Sequence, residues 1–218
     1  MKPASDGGAH AAQVSHLTGA SIADAPACCV GCTWWQERPY GRGVDKRRWI
    51  EGVEDGFGPW GKLYSEGDRL LAFLQYGPAR AFGRPVDLPA GPPSDDAVLV
   101  TCAFLLDVAS PWALQSLFLA CIGEVRDGGH PALEAFAYRY DEAEGFPARF
   151  LQHRTVFPRD FLADFGFHTL RVQGRLELMR LELGGIVAVD EHESALIRAW
   201  DVVAERVKRP LPAPAPLR

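Results

Sequence analysis

The sequence lacks an apolar run of the roughly 18 to 20 residues needed to span a bilayer, and its N-terminus has no basic region followed by an apolar stretch. It also lacks an excess of positive charge, since the formal net charge is -5. Phosphate binding along a nucleic acid needs a basic surface. We therefore expect a cytoplasmic protein with neither a membrane nor a nucleic acid as partner.

Cysteine is also scarce, with five residues in 218. An odd number spread through a chain of this size does not indicate a secreted disulfide framework. The 47% of hydrophobic residues is enough for one sizeable core, so one domain is the default. The excess of arginine over lysine, with abundant alanine, glycine and proline, indicates a GC-rich bacterial genome.

The most informative stretch predicts a strand, a helix and a second strand. Ala97 to Leu106 is almost continuously apolar and branched, as in a strand buried on both faces. Ser110 offers an N-cap oxygen, and Pro111 suits the first position of a helix that runs to Asp127. Ala132 to Tyr140 returns to strand character. Two strands joined through a helix are expected to be parallel, with a binding crevice at their carboxyl ends.

The flanking segments complete an α+β chain. A hairpin is predicted over Leu63 to Tyr76, and Gly77 to Asp96 is a long loop that we interpret as a lid or binding segment. Pro158 to Phe165 predicts a short helix. His168 to Leu183 predicts a second hairpin. In its later strand the apolar residues switch from even to odd positions, as a β-bulge would produce.

The ends of the chain are predicted to lie outside the domain. Residues 1–27 are small and polar and are expected to be mobile, residues 28–185 form the domain, and residues 186–218 hold a C-terminal helix and a proline-rich tail. Within the domain, Asp45 to Phe57 predicts an amphipathic helix. Its basic cluster, 46–48, is interpreted as a solvated face, with a phosphate or CoA contact as the alternative.

The cysteines allow three interpretations. Cys29 and Cys32 have the spacing of half a zinc site or of a thiol redox pair, but no partner pair follows at zinc spacing. A zinc site would have to recruit a distant histidine such as His153 or His168. We therefore predict structural thiols and no metal. Cys102 and Cys121 are predicted to lie in the core.

The order of helix, hairpin, long loop, buried strand, helix, strand, short helix and hairpin resembles the GNAT N-acyltransferase superfamily. Phe161 to Arg171 (FLADFGFHTLR) looks like that family's short fourth helix, Gly-Phe turn and following strand. Cys29 to Trp35 (CVGCTWW) is similar to the start of a subset of bacterial GNAT-like proteins. The resemblance implies a mixed, mostly antiparallel sheet with a central parallel βαβ unit, and an acyl-CoA cofactor such as acetyl-CoA.

The family's most specific motif is degenerate here. GNAT enzymes hold the CoA pyrophosphate on the N–H groups of a loop that leads into the helix after the fourth strand. Pro111 has no N–H to donate, and Gln115 stands where the family uses a small residue. Side-chain and orphan backbone donors remain at this helix end. The candidate cofactor-binding residues are Phe104, Leu105, Leu106, Ser110, Gln115 and Ser116; the alternative is that Ser110 and Pro111 merely cap the helix.

The catalytic residues implied by the resemblance are also incomplete, because the family's tyrosine aligns with Leu162. Glu134 and Tyr138, on one face of the second βαβ strand, are the substitute candidates, with a salt-bridged structural role as the alternative for Glu134. The resemblance implies acyl transfer from acyl-CoA or another thioester to a small-molecule amine. The alternative is a GNAT-fold binding or regulatory module, or an enzyme of different chemistry, and a homodimer is left open.

Overall fold

The computed structural model of the protein describes residues 12–39, 41, 43–140 and 153–185. By its contacts the chain divides into two units, Met1–Gly184 and Gly185–Arg218. The helix predicted after Asp190 and the proline-rich tail lie outside the described residues, as do residues 1–11.

The described residues form four α-helices and nine strands. The helices are α1 (Ala27–Val30), α2 (Lys46–Gly56), α3 (Pro111–Asp127) and α4 (Arg159–Asp164). The strands are β1 (Ala12–Leu17), β2 (Gly61–Glu66), β3 (Arg69–Pro78), β4 (Ala97–Leu105), β5 (Ala132–Tyr138), β6 (His153–Arg154), β7 (Phe157–Pro158), β8 (His168–Gln173) and β9 (Leu176–Glu182). They make one sheet in the order β1-β2-β3-β4-β5-β9-β8, with β6 beside β4 and β7 beside β5.

The βαβ prediction is confirmed. β4 and β5 pair in parallel from Ala97 opposite Ala132 to Val100 opposite Ala135, and α3 connects them. The two-residue strand β7 is also parallel to β5, and the other strand pairs are antiparallel. The predicted fold class, an α+β protein with a mostly antiparallel sheet around a central parallel pair, is therefore confirmed.

The N-terminal prediction is wrong for part of its range. Residues 12–17 are not a free segment but strand β1, which pairs with β2 from Ala12 opposite Glu66 to Leu17 opposite Gly61. Leu17 is the buried residue of this edge strand, whose other side chains are largely exposed. Backbone hydrogen bonds hold β1 in place, and a polar edge strand carries little hydrophobic pattern from which to predict it.

The parity change in the last strand has a different cause from the one predicted. β9 pairs with β5 without interruption, and the irregularity lies in β8, between Thr169 and Arg171. β9 is instead buried on both faces, with Leu178 packed against one side of the sheet and Met179, its neighbour, buried on the other.

Each face of the sheet is covered by different elements. On one face, α3 packs across β2 to β5, and the aromatic rings of α3, β7 and α4 meet around Phe118. On the other face, an apolar cluster joins Trp35, α2 and the 77–96 segment to Phe73, Cys102 and Phe136. The side chains of a strand alternate between faces, so the two cores are separate.

A buried polar network fixes α3 to the sheet. The ammonium of Lys62, a side chain that is 5% exposed, is hydrogen bonded to the carboxylate of Glu124 on α3. Tyr76 Oη donates to the same carboxylate at 2.8 Å, and His16 Nδ1 lies 3.3 Å from it. Burial and the nearby Cys121 and Glu124 groups raise the pKa of Tyr76, which therefore stays a neutral donor.

We expect Glu124→Ala to lower the free energy of unfolding by about 2–4 kcal/mol, because a buried ammonium and a buried phenol both lose their partner. Urea denaturation measures this. The double variant Lys62→Met with Glu124→Leu should cost less than Glu124→Ala alone, and the exposed control Glu51→Ala should change stability by less than about 0.5 kcal/mol. A double variant at least as unstable as the single one would contradict the account.

Candidate functional site

β4 and β5 separate at their carboxyl ends, and residues 153–158 lie in the gap between the two strands. Their mutual pairing ends at Val100 and Ala135, although both strands continue. Beyond that point β6 pairs with Ala103 and Phe104 of β4, and β7 pairs with Ala137 and Tyr138 of β5. Residues 153–158 therefore lie in the expected crevice and pair with backbone groups of both strands.

The N-terminal end of α3 is occupied by a carboxylate. Asp107 Oδ1 accepts from the N–H of Ala109 at 3.0 Å, and its Oδ2 accepts from Ser110 Oγ at 3.1 Å. Ser110 is the N-cap residue of α3, as predicted, but its hydroxyl donates to Asp107 and makes no side-chain cap bond to the helix. A negative charge already sits where a phosphate would be expected, which opposes binding of a second anion.

The other predicted cofactor residues are dispersed around this helix end. Phe104 is half-buried and pairs with β6, whereas Leu105 is buried opposite Ala72 of β3. Leu106 is exposed, and its N–H donates to Leu71 O at 2.8 Å. Gln115 and Ser116 are half-buried on the first turns of α3. The structure does not bring these six residues together as a phosphate cradle.

The 77–96 segment is anchored away from the carboxyl ends of β4 and β5. The N–H of Ser94 donates to Glu134 Oε2 at 2.9 Å, and Arg180 of β9 bonds Asp96 at 3.0 and 3.1 Å. Arg171 of β8 donates to the carbonyl of Ala90 at 2.9 Å. The prediction of a cover over that crevice is wrong, because these bonds tie the segment to β5, β8 and β9.

Glu134 and Tyr138 have different surroundings. Glu134 is fully buried, and its Oε1 lies 3.0 Å from Arg180 Nη1. Its other oxygen accepts from the Ser94 N–H, so both oxygens of this carboxylate make structural contacts. Tyr138 is half-buried beside the gap, where its ring centroid lies 4.9 Å from that of Tyr140. Leu162, in the place of the family's tyrosine, is buried.

A separate pocket of about 360 Å³ opens on the face opposite α3. It is lined by residues that are distant in sequence: Cys29, Cys32, Trp34, Trp35, Gln36, Gln75, Cys102 and Thr155. Cys102 and Thr155 adjoin the β4 pairing with β6, so the pocket borders the gap. Its volume matches a small ligand.

The 77–96 segment shapes this pocket indirectly. The N–H groups of Gly83 and Arg84 donate to the carbonyls of Gln36 and Trp35, both at 3.2 Å. The Arg84 guanidinium also lies 4.4 Å from the ring centroid of Trp34 and donates to its carbonyl. A Cβ at Gly83 would meet Gln36 O at 2.7 Å, so glycine is required for this close approach. The 77–96 segment therefore holds Trp34 and Trp35 in place beside the pocket.

Lys46 departs from the predicted solvated face. Its ammonium lies 4.6 Å and 5.0 Å from the ring centroids of Trp49 and Trp60, and burial lowers its pKa to about 8. With the Gln36 amide turned to satisfy its neighbours, Gln36 accepts from Lys46 Nζ at 3.3 Å and from Gln75 Nε2 at 2.9 Å. The ammonium thus places positive charge beside the pocket, while Arg47 and Arg48 are exposed as predicted.

Thiols from two parts of the chain meet at the pocket. Cys29 of α1 is hydrogen bonded to Cys102 of β4, and its Sγ lies 3.8 Å from Cys28 Sγ. The Cys102 bond, the Cys28 bond and the Lys46 charge together lower the pKa of the Cys29 thiol to about 7. The bond to Cys29 and burial raise the pKa of Cys102, which marks it as the donor. Sequence reasoning missed this pair, since 73 residues separate its members and no local pattern joins them.

Cys121 lies apart from this pair, and the described residues can also be examined for a metal site. Cys121 is fully buried on α3, as predicted, and burial raises the pKa of its thiol. Among the described residues, no group of three or more His, Cys, Asp or Glu side chains is arranged to hold a metal ion. His168, one of the suggested recruits, is exposed on β8, far along the sheet from the thiols.

In the described part of the chain, no helix is both long and apolar enough to cross a membrane.

No family model and no curated protein matches the chain. Solved structures that resemble it are acetyltransferases. The ribosomal-protein-S18-alanine N-acetyltransferase of Escherichia coli is 12% identical over 82% of this chain and 98% of that chain, with a TM-score of 0.45. An N-acetyltransferase from Staphylococcus aureus Mu50 is 14% identical over 79% and 99%, with a TM-score of 0.47.

A putative acetyltransferase from Salmonella typhimurium, solved with its cofactor acetyl-CoA, is 16% identical over 81% of this chain and 96% of that chain, with a TM-score of 0.46.

We expect Glu134→Gln to lower the free energy of unfolding by about 1–3 kcal/mol, because it removes a buried charge from Arg180. Urea denaturation checks this. The matched control is Glu182→Gln, which alters an exposed partner of the same arginine and should cost clearly less than Glu134→Gln. Equal costs for the two variants would contradict the structural role assigned to Glu134.

Proposed function

We propose that the protein is a GNAT-type acyltransferase that takes an acyl group from a thioester donor and transfers it to a small-molecule amine. The observation that carries the proposal is the parallel β4–β5 pair, whose strands part and are bridged at the gap by strands of only two residues each. This arrangement is the part of the fold on which the GNAT resemblance rests.

The gap supports binding of an extended, amide-bearing donor arm. β6 takes up backbone groups of Ala103 and Phe104, and an extended ligand that carries amides can pair with the same groups by β-strand addition. In this proposal the donor arm takes the place of β6. A two-residue strand offers few hydrogen bonds to compete with it.

The donor would be recognised by its arm and not by its phosphates. Asp107 accepts from the Ala109 N–H and the Ser110 hydroxyl just before α3, and Pro111 at the start of the helix contributes no N–H. A CoA pyrophosphate would meet a carboxylate in place of free N–H groups. We therefore expect acyl-CoA and its phosphate-free fragment acyl-pantetheine to be used with similar efficiency.

The acceptor amine is assigned to the pocket beside Trp35 and Cys102. This pocket borders the gap at Thr155, so an amine bound there would approach a thioester carbonyl held along β4. Its aromatic walls and the amides of Gln36 and Gln75 suit a small ligand with an apolar body and a polar head. The amine nitrogen attacks the thioester carbonyl carbon and the C–S bond breaks. The proton lost by the nitrogen passes to solvent, and Tyr138 is the candidate acid that protonates the leaving thiolate.

A second candidate function is a binding module that has abandoned acyl thioesters. The occupation of the gap by residues 153–158 favours it, together with the carboxylate of Asp107 at the helix end. Incubation with a panel of acyl thioesters and primary amines separates the two candidates. Loss of the ultraviolet thioester absorbance with amine acylation supports acyl transfer, and ligand binding without turnover supports the module.

We expect Asp107→Ala to strengthen acetyl-CoA binding about tenfold, or about 1.4 kcal/mol, because it removes a negative charge and frees the Ala109 N–H. Isothermal titration measures the dissociation constants of acetyl-CoA and acetyl-pantetheine. Affinity for acetyl-pantetheine should not change. Asp127→Ala, at the other end of the same helix, is the control for lost charge. An equal gain in that control, or none in Asp107→Ala, would contradict the assigned role of Asp107.

We expect Tyr138→Phe to lower kcat at least about 100-fold with little change in KM, because a proton donor acts in the transition state and not in substrate binding. Steady-state kinetics with the best thioester and amine measure both constants. A donor with a more acidic leaving thiol should recover much of the lost rate. A variant that raises KM alone would show that Tyr138 only contacts substrate.

A further inference from the structure

We propose that Cys29 and Cys102 form a reversible disulfide by exchange with small disulfides that enter the pocket. Cys29 is the attacking thiol and Cys102 the resolving thiol. The two thiols line the pocket assigned above to the acceptor amine, but their exchange chemistry does not depend on acyl transfer.

The geometry of the thiols is the basis of this inference. Both residues line the same pocket of about 360 Å³, and their side chains are hydrogen bonded to each other. Disulfide formation needs the two sulfurs to come together from such a contact, with suitable Cα separation. None of the cysteines in the described residues is joined in a disulfide.

The surroundings of the pair distinguish the two thiols. Cys29 receives hydrogen bonds from Cys102 and Cys28 and lies near the Lys46 ammonium, all of which favour its thiolate. Cys32, from the same segment, and Lys46, from α2, are the other titratable groups around the pair. Cys102 is 6% exposed and stays protonated until it is brought into reaction.

The chemistry balances without a metal or cofactor. The Cys29 thiolate attacks one sulfur of a disulfide RSSR, the S–S bond breaks, and RS⁻ leaves. Cys102 then attacks the Cys29 sulfur of the mixed disulfide, and its proton passes to the second leaving thiolate. Two protein thiols are oxidised, and RSSR is reduced to two RSH. The product covalently joins α1 to β4 across the pocket.

The volume of the pocket limits how large an oxidising disulfide can enter it. A volume of about 360 Å³ admits a small disulfide. The exposed tryptophan Trp34 lies at the pocket with Trp35, whose buried Nε1 has no hydrogen-bond partner among the described residues. That indole N–H is available to a polar group of the entering molecule, such as a hydroxyl.

The test treats the reduced full-length protein with bis(2-hydroxyethyl) disulfide and follows its intact mass and tryptic peptides. The wild type should lose about 2 Da, with one new cross-link between the peptides of Cys29 and Cys102. Cys102→Ser keeps a hydroxyl donor but cannot resolve, so it should accumulate the mixed disulfide on Cys29. Cys29→Ser should slow all reaction at Cys102 at least about tenfold, because the buried thiol is left without its attacking partner.

Cys32→Ser is the matched control, since it removes a pocket thiol outside the proposed pair, and it should oxidise as the wild type does. A cross-link between Cys29 and Cys32, or its loss in Cys32→Ser, would overturn the proposal. So would resistance of the wild type to the reagent, or a stoichiometric metal in native mass spectrometry that blocks the thiols. If Cys102→Ser fails to fold, the wild-type and Cys32→Ser maps still decide between the two pairings.

Discussion

Backbone hydrogen bonding at the parting ends of β4 and β5 is the constraint on which the site depends. Two parallel strands that separate leave unpaired N–H and C=O groups in the middle of a sheet, and buried backbone groups must find partners. This chain supplies them from its own residues 153–158, through β6 on one side and β7 on the other. A ligand enters this gap only by replacing those bonds.

The second constraint is electrostatic. The start of α3 carries the positive end of the helix dipole, which ordinarily favours an anion. Here Asp107 is that anion, supplied by the chain, and Arg69 lies 3.4 Å from it. Elsewhere in the described residues, Lys62 is paired with Glu124 and Arg180 with Glu134. The first pair fixes α3 to the sheet, and Arg180 of the second pair also binds Asp96 at the end of the 77–96 segment.

Elements with a strong local signal were predictable from the sequence. The boundaries of α3 follow from Pro111 at its start and the glycines after Asp127, and the buried strands follow from their apolar runs. The edge strand β1 was not predictable, because its side chains are polar and its pairing is made by the backbone. Nor were β6 and β7, since two residues are too few to carry a period.

The candidate site was harder to predict for a related reason. Glu134 and Tyr138 share a face as expected, but only the fold shows that Arg180 and Ser94 hold Glu134. The pocket joins residues near position 30 to Gln75 and Cys102, and no periodicity within one segment predicts such a meeting. Cys102 lies in the core, as its apolar strand predicts, but that strand gives no sign that the residue also lines a pocket in contact with Cys29.

The central claim, that a thioester arm binds along β4 in the place of β6, is tested most directly by amide hydrogen exchange. The protein is compared free and saturated with a non-hydrolysable acyl-pantetheine analogue in which the thioester is replaced by a ketone. The account predicts faster exchange across residues 153–156, with Ala103 and Phe104 remaining protected by the ligand. Saturation of the protein with no change in residues 153–156 would contradict it.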